Sequence, residues 1–252
     1  MQITAFFVKL IAIVTMIIDH FGAVFAMPIY FRVIGRIAFP LFVFLIAEGC
    51  KYTKSMEKYI LRLGIFALVS EVPFDLAFRG GISGIDFLNN TNIFYTLWLG
   101  VVCVYVLQKV KKFAQDKQYA NRAYMLLWLI VPIFVYGAML AADWLGTDYG
   151  GVGVLFVFLT AAVAQFEELE VAKAMQMLII AIFVFILYFN SFILDIPIEY
   201  WINITAVQFL LAGLSTLIII ALYKGKQGYA VKWLFYVVYP VHLLAFALTR
   251  GI

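Results

Sequence analysis

Charge is scarce in this sequence. Lysine and arginine number 18 and aspartate and glutamate 14, so 13% of the 252 residues are charged while 66% are hydrophobic. A chain with so little charge and a mean hydropathy of +1.03 has more apolar surface than a water-soluble fold can hide, which excludes that class. Cysteine and histidine are rarer still, with two of each. Cys50 and Cys103 fall toward the cytoplasmic side of the topology derived below, where a disulfide is not expected, and no spacing of cysteine and histidine suits a metal. The first apolar stretch has no basic segment before it and no A-x-A site after it, so it is expected to stay as a helix rather than leave as a signal peptide. Internal repeats and low-complexity tracts are also lacking. The longest connections, 79–91 and 109–122, leave residues 1–252 as one membrane domain.

What is present is a series of apolar runs near the length that crosses a bilayer, at about 4–27, 33–50, 59–78, 92–108, 123–142, 151–165, 174–190, 201–223 and 231–249. The expected fold is all-α, a polytopic bundle of nine transmembrane helices; the run at 151–165 is the shortest and the one that could be re-entrant. Orientation follows from the basic residues. Lys51, Lys54, Lys58 and Arg62 mark one connection, Lys109, Lys111, Lys112, Lys117 and Arg122 a second, Lys173 a third, and Lys224, Lys226 and Lys232 a fourth. The positive-inside rule puts these ends, and the N-terminus, in the cytoplasm of a bacterial inner or plasma membrane. Arg32, Arg36, Arg79 and Arg250 lie on the other side, beside Asp86, Asp143, Asp148, Asp195 and Glu199. The net charge of +4 is then the topology signal itself and implies no nucleic-acid partner.

Ionisable residues inside such runs are costly and point to function. Lys9 and His20 are eleven residues apart in the first run, about three helical turns, and share one stripe facing the interior. Counting about 1.5 Å per residue, His20 and His242 both reach the outer half of the bilayer. Arg36, Glu71 and Asp75 reach the same layer, with Glu71 and Asp75 on one helix face. Arg36 is expected to pair with a carboxylate of Asp19, Glu71 or Asp75. Glu48, near the inner end of its helix, is expected to meet Lys51 or solvent. Pro40, Pro73 and Pro240 interrupt helices in the same zone, freeing carbonyls as at a polar cavity or as at plain packing kinks. Asp148-Tyr149-Gly150-Gly151 sits at an outer mouth, as a glycine turn or as a contact with substrate.

The stretch from Lys9 to Ile18-Asp19-His20, the run Phe31-Arg32-Val33-Ile34-Gly35-Arg36-Ile37-Ala38-Phe39-Pro40-Leu41-Phe42 and its close on Ala47-Glu48-Gly49 resemble the TraX family. Tyr59-Ile60-Leu61-Arg62-Leu63, Glu71-Val72-Pro73-Phe74-Asp75, Asp148-Tyr149-Gly150-Gly151-Val152-Gly153 and Tyr239-Pro240-Val241-His242-Leu243 resemble its other blocks. That family takes its name from a membrane protein that N-acetylates a conjugative pilin subunit. The resemblance extends to the membrane-bound acyltransferases of family 3, in which a basic residue and a histidine ten intervening residues later stand on the first helix. Lys9 and His20 match that pair, with Lys9, a point charge, replacing the commoner arginine fork.

The resemblance implies an acyltransferase that moves acetyl from cytoplasmic acetyl-coenzyme A to an amine or hydroxyl of a membrane-bound or extracytoplasmic acceptor: a protein amino terminus, a glycan or a small molecule. His20 would be the general base. Asp19 lies about 100° aside and more naturally pairs with Arg32 or Arg36; Glu71, Asp75 or His242 would orient the base, and Arg36 would stabilise an oxyanion or form a structural ion pair. Lys9, Lys51, Lys54, Lys58 and Arg62 suit coenzyme A phosphates, although the positive-inside rule alone accounts for such a cluster. A transporter with a midplane polar site is the alternative, since broken helices around buried charge also build transport sites. An envelope-assembly scaffold has no need of buried charge.

Overall fold

A computed structural model describes residues 3–81, 84–114, 120–193, 204–229 and 233–251. Lys117, Asp195, Glu199, Lys232 and the side chain of Arg122, used above for orientation, lie outside the described residues. The elements are α1 (Ala5–Val24), α2 (Tyr30–Gly35), α3 (Ala38–Tyr52), α4 (Met56–Arg79), α5 (Ile93–Ala114), α6 (Ala120–Trp144), α7 (Gly150–Val163), α8 (Leu169–Ile193), α9 (Ile204–Leu222) and α10 (Leu234–Thr249). Among the described residues there is no β-strand, only an isolated bridge between Ile3 and Tyr223. The helices α2 and α3 together form one apolar stretch, Tyr30–Tyr52, so the helices match the nine expected spans one for one. This is a helical membrane bundle.

Among the described residues four stretches, Ala5–Val24, Tyr30–Tyr52, Ile93–Phe113 and Leu169–Leu187, are long and apolar enough to cross a membrane. The surface agrees with that setting. Trp144 is 71% exposed and Ile218 67%, a placement unfavourable in water but natural against acyl chains. The most deeply buried helix is α3, where Leu41, Val43 and Ala47 have no exposed surface; it is apolar on every side because it packs against α1, α5, α7, α8 and α9.

The interruption between α2 and α3 has a local cause. Pro40 has no N–H to give the Arg36 carbonyl, so the α-helical ladder fails there, and the backbone instead makes tighter bonds from Arg36 N to Val33 O and from Ile37 N to Ile34 O. Pro40 then falls in the first turn of α3, where a missing donor costs little. Pro73 and Pro240 sit inside α4 and α10.

The short α7 runs from one end of the bundle to the other and does not turn back. At its start Thr96 Oγ1 donates to Thr147 Oγ1 (2.9 Å), and beyond its end Gln108 Nε2 donates to Gln165 Oε1 (3.2 Å) and Lys51 Nζ to Phe166 O (3.0 Å). A clasp ties the start of α1 to the chain before α10, with Ala5 N on Lys226 O (2.9 Å) and Phe6 N on Gln227 O (3.2 Å).

Candidate active site

Two cavities lie along α1, α3, α4 and α10. The one at the lysine-rich end, about 580 Å³, is lined by Lys9 of α1, by Lys54, Lys58 and Arg62 at and beyond the α3–α4 turn, and by Tyr52, Tyr59 and Tyr236 among others. The one toward the opposite end, about 400 Å³, is lined by Asp19 and His20 of α1, Arg32, Arg36, Phe39 and Phe42 of α2 and α3, Asp148 and Tyr149 before α7, and Tyr239 of α10. Between them Phe42 meets Phe235 edge to face at 4.8 Å between ring centres. The interior stripe of Lys9 and His20 therefore contributes one residue to each cavity.

His20 and His242 touch. His20 Nδ1 lies 2.7 Å from His242 Nε2, and His242 Nδ1 lies 2.7 Å from Val238 O. The ring planes differ by only 13° with centres 5.0 Å apart, the separation of two rings joined edge to edge through one in-plane N–H···N bond. The Val238 carbonyl decides the tautomers. A carbonyl only accepts, so His242 Nδ1 carries hydrogen; in the neutral pair His242 Nε2 must then accept, and His20 Nδ1 donates to it. That leaves the lone pair of His20 on Nε2, which has no hydrogen-bond partner among the described residues. Phe78 and Tyr239 pack edge-on against the His20 ring at 5.6 and 5.7 Å and hold it in place.

The charges beside the histidines are paired. Asp19 Oδ2 accepts from Arg32 Nη1 at 2.6 Å and Asp19 Oδ1 from Arg36 Nη2 at 2.8 Å, and Arg36 Nε donates to Arg32 O at 3.0 Å. Gly35 makes this possible. Any side chain at that position would overlap the Asp19 carboxylate, so glycine is the residue that lets α1 and α2 approach closely enough for both bonds. The expected Arg36–carboxylate pair is therefore made with Asp19, and Asp19 serves the arginines rather than His20.

Other expectations are corrected. Glu71 and Asp75 do not orient His20: they face the 84–92 segment. Glu71 Oε2 accepts from Asn92 N (3.1 Å) and Asn92 Nδ2 (2.6 Å), and Asp75 Oδ2 accepts from Asp86 N (2.7 Å) while Oδ1 pairs with Arg79 Nε at 3.3 Å. Both carboxylates bond that segment through one oxygen, and of the three groups expected beside His20 only His242 is in hydrogen-bond contact with it among the described residues. Glu48 is buried and, among the described residues, forms no ion pair with Lys51; its Oε2 accepts from Tyr223 O–H at 3.0 Å. Lys51 bonds Phe166 O and does not line the basic cavity, whereas Lys9, Lys54, Lys58 and Arg62 do.

Sequence reasoning gave no role to Tyr239 or to the aromatic walls, Phe39, Phe42, Phe74 and Phe78, because an aromatic residue in an apolar helix looks the same whether it faces lipid, core or cavity. One signal was available at Tyr149. It adopts a left-handed backbone, φ 66°, before the glycine pair, and its ring stacks on Phe39 at 3.7 Å and 6°. Such strain in a non-glycine residue is characteristic of functional sites.

The chain is 25% identical over 253 residues, 95% of this chain and 93% of the other, to the "Probable fimbrial assembly protein FimC, serogroup H1" of Dichelobacter nodosus. No solved structure matches it significantly. The TraX protein family matches from residue 5 to residue 250, through both histidines and both cavities, and the chain belongs to that family.

Proposed function

We propose that this protein is an integral membrane acyltransferase that moves an acyl group, in the simplest case acetyl, from cytoplasmic acetyl-coenzyme A to an amine or hydroxyl acceptor reached from the other side of the membrane. The observation that carries this reading is the relay from the Val238 carbonyl through His242 to His20, which leaves an unshared pair on His20 Nε2 in the wall of a cavity. A base held by a second group in one tautomer is what acyl transfer needs.

The balance of the reaction uses these groups simply. The acceptor N–H or O–H gives its proton to His20 Nε2 as its heteroatom bonds the thioester carbonyl carbon. Collapse of the tetrahedral species then breaks the carbon–sulfur bond, and the imidazolium returns the proton to the departing thiolate. In the basic cavity, Lys9, Lys54, Lys58 and Arg62 supply charge for the phosphates of coenzyme A, and Tyr52 and Tyr59 supply faces for its base. The pantetheine arm would pass the Phe42–Phe235 contact to bring the thioester beside His20. With the lysine-rich ends in the cytoplasm, donor and acceptor enter from opposite sides. The name of the D. nodosus relative, a fimbrial assembly protein, favours an acceptor that is a protein subunit bound for the cell surface. Neither the geometry nor the relatives favour the transporter reading.

The test is to incubate purified protein with acetyl-labelled coenzyme A and a membrane extract of the source cells and to resolve the labelled products. Label moving into one acceptor with wild type and not with His20→Ala is expected. Equal transfer by both proteins would remove His20 from the role of base.

A further inference from the structure

Tyr239 is 2% exposed, and its hydroxyl has no hydrogen-bond partner among the described residues. An unpaired buried hydroxyl carries an uncompensated desolvation cost, and phenylalanine would fill the same space without it. The ring is well placed for packing: it meets Phe94 edge-on at 5.1 Å and stands edge-on to both His20, at 5.7 Å, and His242, at 5.8 Å. Packing accounts for the ring and leaves the hydroxyl unexplained. The Asp148 and Glu71 carboxylates act on it through space and the Ile93 N–H approaches its oxygen as a donor, yet none meets it in full hydrogen-bond geometry, and the hydroxyl proton has no acceptor among the described residues. Tyr239, Ile93 and Asp148 all line the cavity that His20 lines.

We infer that the Tyr239 hydroxyl is the hydrogen-bond donor to the oxyanion formed when the thioester carbonyl is attacked. This rests on the acyl-transfer reading and adds a second catalytic residue to it. As the acceptor heteroatom bonds the carbonyl carbon and its proton passes to His20 Nε2, the carbonyl π pair moves onto oxygen, and the Tyr239 O–H donates to that oxygen without losing its proton. When the carbon–sulfur bond breaks, the pair returns to re-form the carbonyl, and His20 hands its proton to the thiolate. A neutral donor fits this cavity better than the expected candidate, Arg36, whose guanidinium is committed to Asp19 Oδ1 and to Arg32 O. A donor unsatisfied in the resting protein and satisfied only as charge develops is the arrangement that lowers the barrier rather than tightening ground-state binding.

Tyr239→Phe removes this hydroxyl and nothing else. Three measurements on the detergent-purified protein test the inference: thermal stability, thioester cleavage of acetyl-coenzyme A in the presence of the membrane extract, and affinity for two probes. One probe is a trifluoromethyl ketone analogue of acetyl-coenzyme A, whose hydrate or adduct carries the tetrahedral oxygen; the other is the matching thioether, which has none. Tyr239→Phe is expected to melt at or above the wild-type temperature, to bind the thioether as wild type does, to lose roughly 10²-fold in kcat with little change in KM, and to lose at least tenfold of the preference for the ketone. Wild-type kcat and ketone preference in Tyr239→Phe, with His20→Ala inactive, would overturn the role of Tyr239 and leave that of His20 standing. Wild-type protein that neither cleaves the thioester nor prefers the ketone would overturn both.

Discussion

The two cavities share four helices, α1, α3, α4 and α10, and differ in how they treat charge. The upper one, beside His20, pairs its arginines, Arg32 and Arg36 with Asp19 and Arg79 with Asp75, and what remains facing the space is the Asp148 carboxylate and the uncharged histidine relay. Among the described residues the lower one gathers Lys9, Lys54, Lys58 and Arg62 with no carboxylate in its lining. A site that leaves four cations without a lining counter-charge is suited to a polyanion, and a site that pairs its charges is suited to moving a proton in a controlled electrostatic background. On the proposed reading, binding belongs below and chemistry above. The contrast is sharpest on α1, where about 16 Å of helix separates Lys9 from His20.

Substitutions in the upper cavity should damage the rate and spare donor affinity. His20→Ala should lower acyl transfer by about 10²- to 10⁴-fold, as loss of acid–base catalysis does. His242→Ala, which leaves the His20 tautomer unfixed, should cost about 10- to 100-fold. The ratio of the two rates in the label-transfer assay checks the relay, since an equal loss would make His242 part of the chemistry rather than of positioning. Next in size is the arginine cluster. Gly35→Ala drives a methyl into the Asp19 carboxylate, and Arg36→Ala leaves one of the two bonds to Asp19 unmade; each should destabilise the protein by about 1–3 kcal/mol, read as a lower melting temperature in detergent. A Gly35→Ala protein with wild-type stability would mean that the pairing is not holding α1 to α2.

How much of this was legible in the sequence divides along the same line. The nine apolar runs, the shared stripe of Lys9 and His20 and the pairing of Arg36 follow from length, helical period and the cost of buried charge, all of which act locally. What escaped depends on contacts between distant helices. Glu71 and Asp75 have the depth of His20 but the wrong rotation, because the Asn92 side chain and the Asp86 amide draw them toward the segment before α5. Glu48 escaped for the same reason, its partner Tyr223 being 175 residues away. Lys51 is the sequence neighbour of Tyr52, which lines the basic cavity, and points elsewhere, toward the Phe166 carbonyl. The resemblance to the family, by contrast, singled out His242 together with Tyr239, although the role of the tyrosine emerges only from its unpaired hydroxyl.

In the lower cavity the expected losses are in affinity. Lys58→Ala and Arg62→Ala should each weaken coenzyme A binding roughly tenfold, about 1.4 kcal/mol, more at low ionic strength than at high, with kcat at saturating donor unchanged. Lys51→Ala should change neither, because that amine lies outside the lining. The smallest effect is at the anchor of the 84–92 segment. Hydrogen bonds, first from the Asn89 side chain and then from the Leu88 amide, hold the Asp86 carboxyl below its usual range. A depressed carboxylate contributes stability that is present above its unfolded value, about 3.9, and lost as pH falls through the folded one. Proteolysis or hydrogen exchange of residues 84–92 should therefore rise only below about pH 4, and Asp86→Asn should abolish that rise.

The central claim is that binding and chemistry are separable, and it is tested most directly by measuring both in the same preparations. Coenzyme A affinity by calorimetry and single-turnover acetyl transfer would be compared for wild type, His20→Ala and Lys58→Ala/Arg62→Ala. The expected result is a crossing pattern: His20→Ala binds like wild type and transfers at least 100-fold more slowly, while the double variant binds at least tenfold more weakly and, once saturated, transfers at the wild-type rate. Loss of binding and of transfer together in His20→Ala, or wild-type transfer by it, would contradict the division of labour between the two cavities.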